Sequence, residues 1–363
     1  MRALHLHKLT GVSGSEGHLL ALLPALRERG IDARVLGLDV PGTDAPRFYE
    51  ELDRLGVPHR SVRCGLDVSP RLARDVIRAV RAERPDLLHT HLVHGDVYGS
   101  IAARATGTPF VSTRHNDDRY LLGPFRYVDR AFARRAGRLI AISDAVRDFL
   151  ARAGHDPRKL TTIHYGLDEL PAAPSSPTPA EAGIPADAPL ALAVGRLIEQ
   201  KDHATLLRAF AVVREQHPQA RLAILGSGPL EAETRALAAS LGLADAVALP
   251  GRTDIRDWLL RADVFVHTSR WEGFGIVLLE AMLAGLPVVA TRVSAVPEIV
   301  ADGVTGALVP PGDAEIVARE LAALLADPDR RHRLGEAGRE RARTEFSVAR
   351  MTERTVEVYE ASV

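Results

Sequence analysis

At 363 residues, 46% apolar and 26% charged, the chain has the make-up of a soluble globular protein too long for one ordinary core, so about two domains are expected. A net charge of −1 supplies no global field for nucleic acid. The single cysteine, Cys64, excludes an intrachain disulfide and suits a reducing cytosol. The front half, to residue 170, is mildly basic and the remainder mildly acidic. Solvated helix faces are the ordinary cause of such a split; an anionic acceptor or lipid surface meeting the front half is the other. Met1-Arg-Ala-Leu-His-Leu-His-Lys8 lacks the apolar core and cleavage site of a signal peptide, and no apolar run approaches the ~20 residues of a membrane span. A cytoplasmic protein is expected.

Short apolar runs alternate with longer helical patterns, which predicts α/β layers on parallel sheets. In the first half, strands are expected at Ala3–Leu6, Ala33–Leu38, around Leu87–Leu88, and at Phe110–Ser112, Leu139–Ile142 and Leu160–Ile163. Helices are expected at His18–Arg29, Pro70–Glu83 and Val97–Thr106, where apolar residues recur three and four apart. Between Leu170 and Pro189, six prolines and Ser175-Ser176 mark a stiff connector. The boundaries read as a first domain over 1–170, a linker over 171–189 and a second domain over 190–345. In the second half, strands are expected at Leu190–Val194, Arg221–Leu225, Val247–Leu249, Val264–His267, Pro287–Ala290 and Ala307–Val309, with helices over Ala314–Ala326 and Asp329–Glu345. Two such halves suggest Rossmann-like domains facing each other across a cleft, with ligands at the carboxyl ends of the strands.

The loops after the strands carry the chemistry. Gly11-Val-Ser-Gly14-Ser-Glu16-Gly17 is not a dinucleotide fingerprint, because its first glycine interval is one residue too long; a loop closing over a phosphate remains reasonable. Gly195-Arg196…Lys201 sets two cations five apart, suited to one diphosphate, or else two unrelated surface charges. Gly226 begins a tight turn where backbone approaches a nucleotide, and a plain turn explains it equally well. Arg252 offers a plane for a base to stack on.

Glu272-Gly273-Phe274-Gly275-Ile276-Val277-Leu-Leu-Glu280 places two carboxylates eight residues apart around a Gly-Phe-Gly turn. A helix starting near Gly275 leaves Glu272 in the loop and Glu280 on the helix, with free first-turn N–H groups between them. An anion flanked by hydroxyls, as in a nucleotide-sugar, fits there; a buried helix with incidental glutamates is the plainer alternative. His89 and His91 are expected on opposite faces of a strand edge, with His94 beyond the strand, which argues against zinc. His115, at a strand end, is the better candidate for a polar substrate contact. Asp117-Asp118 reads as a solvated turn and Ser143-Asp144 as a helix cap. No Gly-x-Ser-x-Gly element occurs. Arg71, Arg74, Arg78 and Arg81 form one basic helix face. Arg126, Arg130, Arg134, Arg135 and Arg138, interleaved with Phe125, Tyr127 and Phe132, form a second basic run. Either is a wet surface or a seat for anionic lipid head groups.

In order along nearly the whole chain, the glycine loop at Gly14, His91, His115, Ser143-Asp144-Ala, Gly166-Leu-Asp168, Gly195-Arg196…Lys201, Gly226-Ser-Gly228-Pro-Leu, Glu272-Gly-Phe-Gly…Glu280 and Pro297-Glu298…Gly306 resemble the family-4 retaining glycosyltransferases of the GT-B fold. The resemblance implies a hexosyl-type transferase using a UDP- or GDP-linked sugar and a hydroxyl acceptor (glycan, lipid-linked or small molecule) in polysaccharide, glycolipid or other glycoconjugate synthesis. It implies Arg196 and Lys201 on the diphosphate, Glu280 on the ribose, and Glu272 with the Gly273–Val277 backbone on sugar and phosphates. Arg252 falls at the base and His115 at the donor sugar, no metal or cofactor is required, and residues 346–363 form a helix returning to the first domain. Gly14-Ser15 stands where many members pair glycines, and Tyr165 where asparagine is common. The competing readings are a nucleotide-sugar epimerase of the same shape and a non-catalytic nucleotide-sugar-binding protein. Peripheral contact with the inner membrane face stays open.

Overall fold

A computed structural model describes residues 1–9, 11, 14–65, 69–117, 122–170 and 176–363. The chain divides into two compact units, Met1–Gly166 with Ser347–Val363, and Leu167–Phe346.

The first unit runs β1 (Arg2–Leu9), α1 (Gly14–Glu28), β2 (Asp32–Asp39), α2 (Ala45–Arg54) and β3 (His59–Arg63). It continues with α3 (Pro70–Glu83), β4 (Leu87–His91), α4 (Leu92–Thr106), β5 (Phe110–Arg114) and α5 (Phe125–Ala133). The half ends with β6 (Leu139–Ala141), α6 (Asp144–Arg152) and β7 (Leu160–Thr162). All strand pairs are parallel, in the order β3-β2-β1-β4-β5-β6-β7. Coverage on both faces buries β4 and β5 at every residue, although only the first two residues of each are apolar. The edge strand β3, of sequence His-Arg-Ser-Val-Arg, escapes periodicity because it is half exposed and largely polar. α4 begins at Leu92, earlier than the apolar spacing suggests, so His94 lies in a helix.

The second unit runs β8 (Leu190–Val194), α7 (His203–Gln216), β9 (Arg221–Leu225), α8 (Glu231–Ser240), β10 (Val247–Gly251) and α9 (Arg256–Arg261). There follow β11 (Val264–His267), α10 (Ile276–Leu283), β12 (Val288–Thr291), α11 (Val296–Ile299) and β13 (Gly306–Val309). α12 (Ala314–Ala326) and α13 (Pro328–Glu345) close the unit, and α14 (Val348–Glu360) belongs to the first. Its parallel sheet has the order β10-β9-β8-β11-β12-β13. The neighbours β8 and β11 are far apart in sequence, which sets a topological switch point at their carboxyl ends.

The segment marked by composition as a connector is fastened to the second unit from Ser176 on. Ser176 N donates to Thr253 Oγ1 (3.1 Å), buried Trp258 Nε1 to Pro177 O (3.1 Å), and Arg261 to Pro185 O (2.9 Å). Prolines free its carbonyls from local pairing, and side chains of the unit take them up. Pro171, Pro174 and Ser175 lie outside the described residues.

Candidate functional site

In the second unit the residues singled out by sequence gather at the carboxyl ends of β8 and β11. After β8, Gly195 leaves room for the Lys201 stem: a Cβ there would lie 3.2 Å from three of its carbons. A short 3-10 turn over Glu199–Lys201 ends at Asp202, in left-handed conformation at φ +47°. Thr268 Oγ1 then donates to Lys201 O (3.0 Å), Arg270 N to Gln200 O (2.7 Å) and Gln200 Nε2 to Trp271 O (2.9 Å). These bonds stitch the loop after β8 to the loop after β11.

The result is an ion pair between Lys201 Nζ and Glu272 Oε2, with His267 Nε2 3.2 Å and Ser269 Oγ 3.4 Å from the same oxygen. Burial pushes the Glu272 carboxyl up, but Lys201 and His267 outweigh it and hold it down at about 2. Burial pushes the His267 imidazole down. Arg196, the other expected cation, is exposed and has no side-chain partner among the described residues. His267 and Ser269 were not legible as site residues. The available signal was their position at and just after the end of β11, beside the switch point.

The helix after Glu272 begins as expected. Gly275 is its N-cap at φ +92°, a conformation that favours glycine, and no side chain caps the first turn. The leading N–H groups of α10 therefore have no side-chain acceptor and are suited to an anion. Phe274 and Gly273 are buried, with the Phe274 ring edge-on to Phe346 at 6.1 Å. Val277 faces the core and Ile276 is half-buried. Glu280 is half-buried without hydrogen bond or ion pair among the described residues, and burial pushes its carboxyl up to about 7. A carboxylate in that position is an acceptor without a donor.

Gly226 serves the scaffold. At φ +139° it lies against the preceding loop, where a Cβ would sit 2.0 Å from Gly195 O. Gly228 meets Leu197 O in the same way, at 2.4 Å. Arg252 is exposed just beyond β10.

In the first unit, Gly14 opens α1 and a Cβ there would meet nothing within 4 Å; Val12 and Ser13 of the glycine loop, and Asp118, lie outside the described residues. The reading of His89 and His91 on opposite faces is corrected. Strand side chains alternate with period two, so residues two apart share a face, and the two rings stack at 4.2 Å. Parallel register sets His5 beside His89 and His7 beside His91. A hydrogen-bonded chain of buried groups results. Thr113 Oγ1 meets His89 Nε2 at 2.7 Å, and His89 Nδ1 meets Tyr359 OH at 2.6 Å. Tyr359 OH lies 3.1 Å from His5 Nε2, His5 Nδ1 3.0 Å from His91 Nε2, and His91 Nδ1 3.0 Å from His115 Nε2. His115 Nδ1 then bonds Tyr165 OH. Burial pushes every imidazole of the chain well down, His5 to about 3, and raises both tyrosines. Each neutral imidazole has one N–H and one lone pair, so the polarity of one ring-to-ring link fixes the tautomers of His5, His91 and His115 together. Both ring nitrogens of His115 are occupied, one by His91 and the other by the hydroxyl of Tyr165.

Among the described residues of this unit, His5, His89 and His91 offer ligand atoms within 4.8 Å of one another. Five of their six nitrogens bond Tyr359 or another imidazole of the chain, and the sixth, His89 Nε2, bonds Thr113. The arrangement fits a hydrogen-bond chain better than a metal ion. Behind His115, buried Arg114 contacts Asp96 (3.2 Å) and Asp129 (2.8 Å), and His155 contacts Asp129 (2.9 Å).

Solved structures share this two-unit architecture. The Anabaena protein Alr3699/HepE, in a complex with UDP and glucose, matches at a TM-score of 0.85 and 25% identity over 99% of this chain and 100% of that one. Sucrose-phosphate synthase from Thermosynechococcus elongatus matches in fold at a TM-score of 0.79 and 24% identity, over 99% and 98% of the two chains. The architecture is that of the GT-B glycosyltransferases. Residues 176–341 match the family described as glycosyl transferases group 1, and residues 12–169 match glycosyltransferase family 4. Alpha-maltose-1-phosphate synthase of Mycolicibacterium smegmatis is 31% identical over 95% of this chain and 95% of its own. D-inositol 3-phosphate glycosyltransferase of Streptomyces scabiei is 33% identical over 79% and 71%. The chain belongs to the family-4, group 1 glycosyltransferases and is a glycosyl-transferring enzyme.

Proposed function

We propose that the protein moves a sugar from a UDP-linked donor to a hydroxyl acceptor, with retention of anomeric configuration and without a metal ion. The observation that carries this reading is the convergence, within one unit, of exposed Arg196, paired Lys201 and Glu272, the uncapped start of α10 and partnerless Glu280. Cleavage of the bond from C1 to the diphosphate oxygen builds negative charge on the leaving group. Paired Lys201 and the helix start, fixed beforehand, together with Arg196 stabilise that charge as it develops. Donor binding inserts phosphate beside Lys201, while Glu280 accepts from ribose hydroxyls and Glu272 from the sugar. In a front-face displacement the acceptor hydroxyl bonds to C1 on the side the diphosphate leaves, and its proton passes to the departing phosphate oxygen. No side chain need form a covalent intermediate.

UDP is favoured over GDP because the Anabaena structures are complexes with UDP and UDP-glucose. The relatives named for maltose 1-phosphate and inositol 3-phosphate make phosphorylated small molecules the first acceptors to assay, beside glycans and lipid-linked sugars. The test is transfer from UDP-glucose in the presence of a chelator, with the anomeric configuration of donor and product read by NMR. A retained configuration, with activity unchanged by the chelator, is expected. An inverted product or loss of activity on chelation overturns the mechanism. Steady epimer formation without acceptor favours the epimerase.

A further inference from the structure

We infer that the outer face of α5 docks on an anionic lipid surface. Only Asp129 and Ala133 of this helix are buried, and Asp129 is fastened to Arg114 and His155. At 100° per residue, Tyr127, Ala131, Val128, Phe132 and Phe125 form one continuous arc of about 160°, which runs from the side opposite Ala133 round to the border of Asp129. Leu122 is 50% exposed, Phe125 64%, Tyr127 61% and Val128 52%. Four of the ten exposed large hydrophobic residues among those described thus fall within seven positions of sequence. Single apolar residues on a surface are ordinary, whereas an arc of them marks a contact.

The charge around the arc selects the partner. From Leu122 to Arg138 there are five arginines and one acid, and that acid, Asp129, is turned inward. Arg126 lies over the Tyr127 ring at 4.8 Å and bonds its hydroxyl, at one border of the arc, while exposed Arg134 and Arg135 follow its end. Pairing with a second copy through a two-fold interface would set arginines against arginines. Nucleic acid would satisfy them but give Leu122, Phe125 and Val128 no apolar medium. An anionic bilayer surface satisfies both, with aromatic and aliphatic groups at the acyl boundary and guanidinium groups among the phosphates. The arginine face of α3 lacks this combination. Among the described residues its neighbourhood has no exposed large hydrophobic, Arg78 pairs with Asp75 and Arg81 bonds Ala105 O, so it is a wet face.

The proposal does not depend on the donor chemistry, and the experiment separates the two. The full chain is floated with phosphatidylcholine vesicles with and without phosphatidylserine, and its UDP-induced thermal shift is measured in parallel. Flotation only with phosphatidylserine, reversed by high salt, is expected. The double variant Phe125→Ser with Val128→Ser, and separately Arg134→Glu with Arg135→Glu, should each lower vesicle binding at least tenfold while keeping the wild-type melting temperature and UDP shift. Equal binding to both vesicle types, no binding, or variants that float like wild type overturn the proposal. A dimer in light scattering that the apolar double variant dissociates also overturns it, in favour of a second copy. A missing UDP shift with normal flotation counts against the donor reading alone.

Discussion

Lys201 and Glu272 are seventy-one positions apart, and Lys201 holds the carboxyl of Glu272 charged and in place. Lys201→Ala removes one of the two cations assigned to the proposed diphosphate and leaves Glu272 with His267 and Ser269 among the described residues. A loss of about 10²–10³-fold in kcat is expected, with an unchanged circular dichroism spectrum. Glu280→Ala should act as severely, through donor binding. Full turnover by both variants would falsify the site assignment. Glu280 also gives donor binding a pH dependence. Its carboxyl sits at about 7 in the ligand-free protein because nothing offsets burial. In the proposed complex ribose hydroxyls donate to the charged form, so bound donor is expected to lower the pKa. Affinity is then constant above about 7 and falls by up to about tenfold per pH unit below it. Calorimetric titration of UDP-glucose on either side of this value tests the expectation. Glu280→Gln should bind more weakly at high pH and lose the slope; a wild-type profile without a slope rejects the ribose role.

At the scale of elements, the site rests on how α10 is held. Arg339 of α13 donates to Leu283 O (3.1 Å) and Ala284 O (3.0 Å), satisfying the carbonyls that end α10. Close packing is possible because Gly335 has no side chain: a Cβ there would lie 1.9 Å from Gly285 O. Gly335→Ala must therefore push α13 away from α10, at a cost of about 1–3 kcal/mol or more, exceeding the small gain in helix propensity. Chemical denaturation should show that loss, with weakened UDP binding as Glu280 shifts. Unchanged stability and affinity would mean that the two helices part without consequence. The helix α10 itself was legible from its apolar run and Gly-Phe-Gly start. The packing that fixes it was not, because Gly335 and Arg339 lie in α13, about sixty positions on, and look like any residues of a charged helix.

On the scale of the whole molecule, the two units answer acid to different degrees. In the first, His5 and His18 are neutral, with pKa values lowered to about 3 from 6.5. Above about 6.5 they have no linkage effect. Below it the unfolded chain takes up protons that the folded unit refuses, so stability falls as pH drops towards about 3, by about 2 kcal/mol for each histidine at about pH 5. In the second unit, Glu280 is raised above its ordinary 4.5, so its strain is relieved as pH falls through about 7; this offsets the acid-driven loss from buried His203, lowered to about 4, while Glu272 keeps its contribution until below about 4.5. Calorimetry should show one transition dropping markedly between about pH 7 and about pH 5 and the other holding, and a single transition of constant midpoint would contradict the neutral histidine chain. The sequence by itself determined the two α/β halves and the parallel strands, and it marked Arg196, Lys201, Glu272 and Glu280 as the candidate donor-side residues. Burial periodicity and loop composition are properties of each segment alone, so they survive in one dimension. Only the tertiary structure decided that His267 would back Glu272, that Gly226 would serve a loop contact, and that His5, His89, His91, His115 and Tyr359 would form one chain. Those outcomes depend on which strands lie side by side and in what register, a choice made by packing between segments that carry no mark of one another.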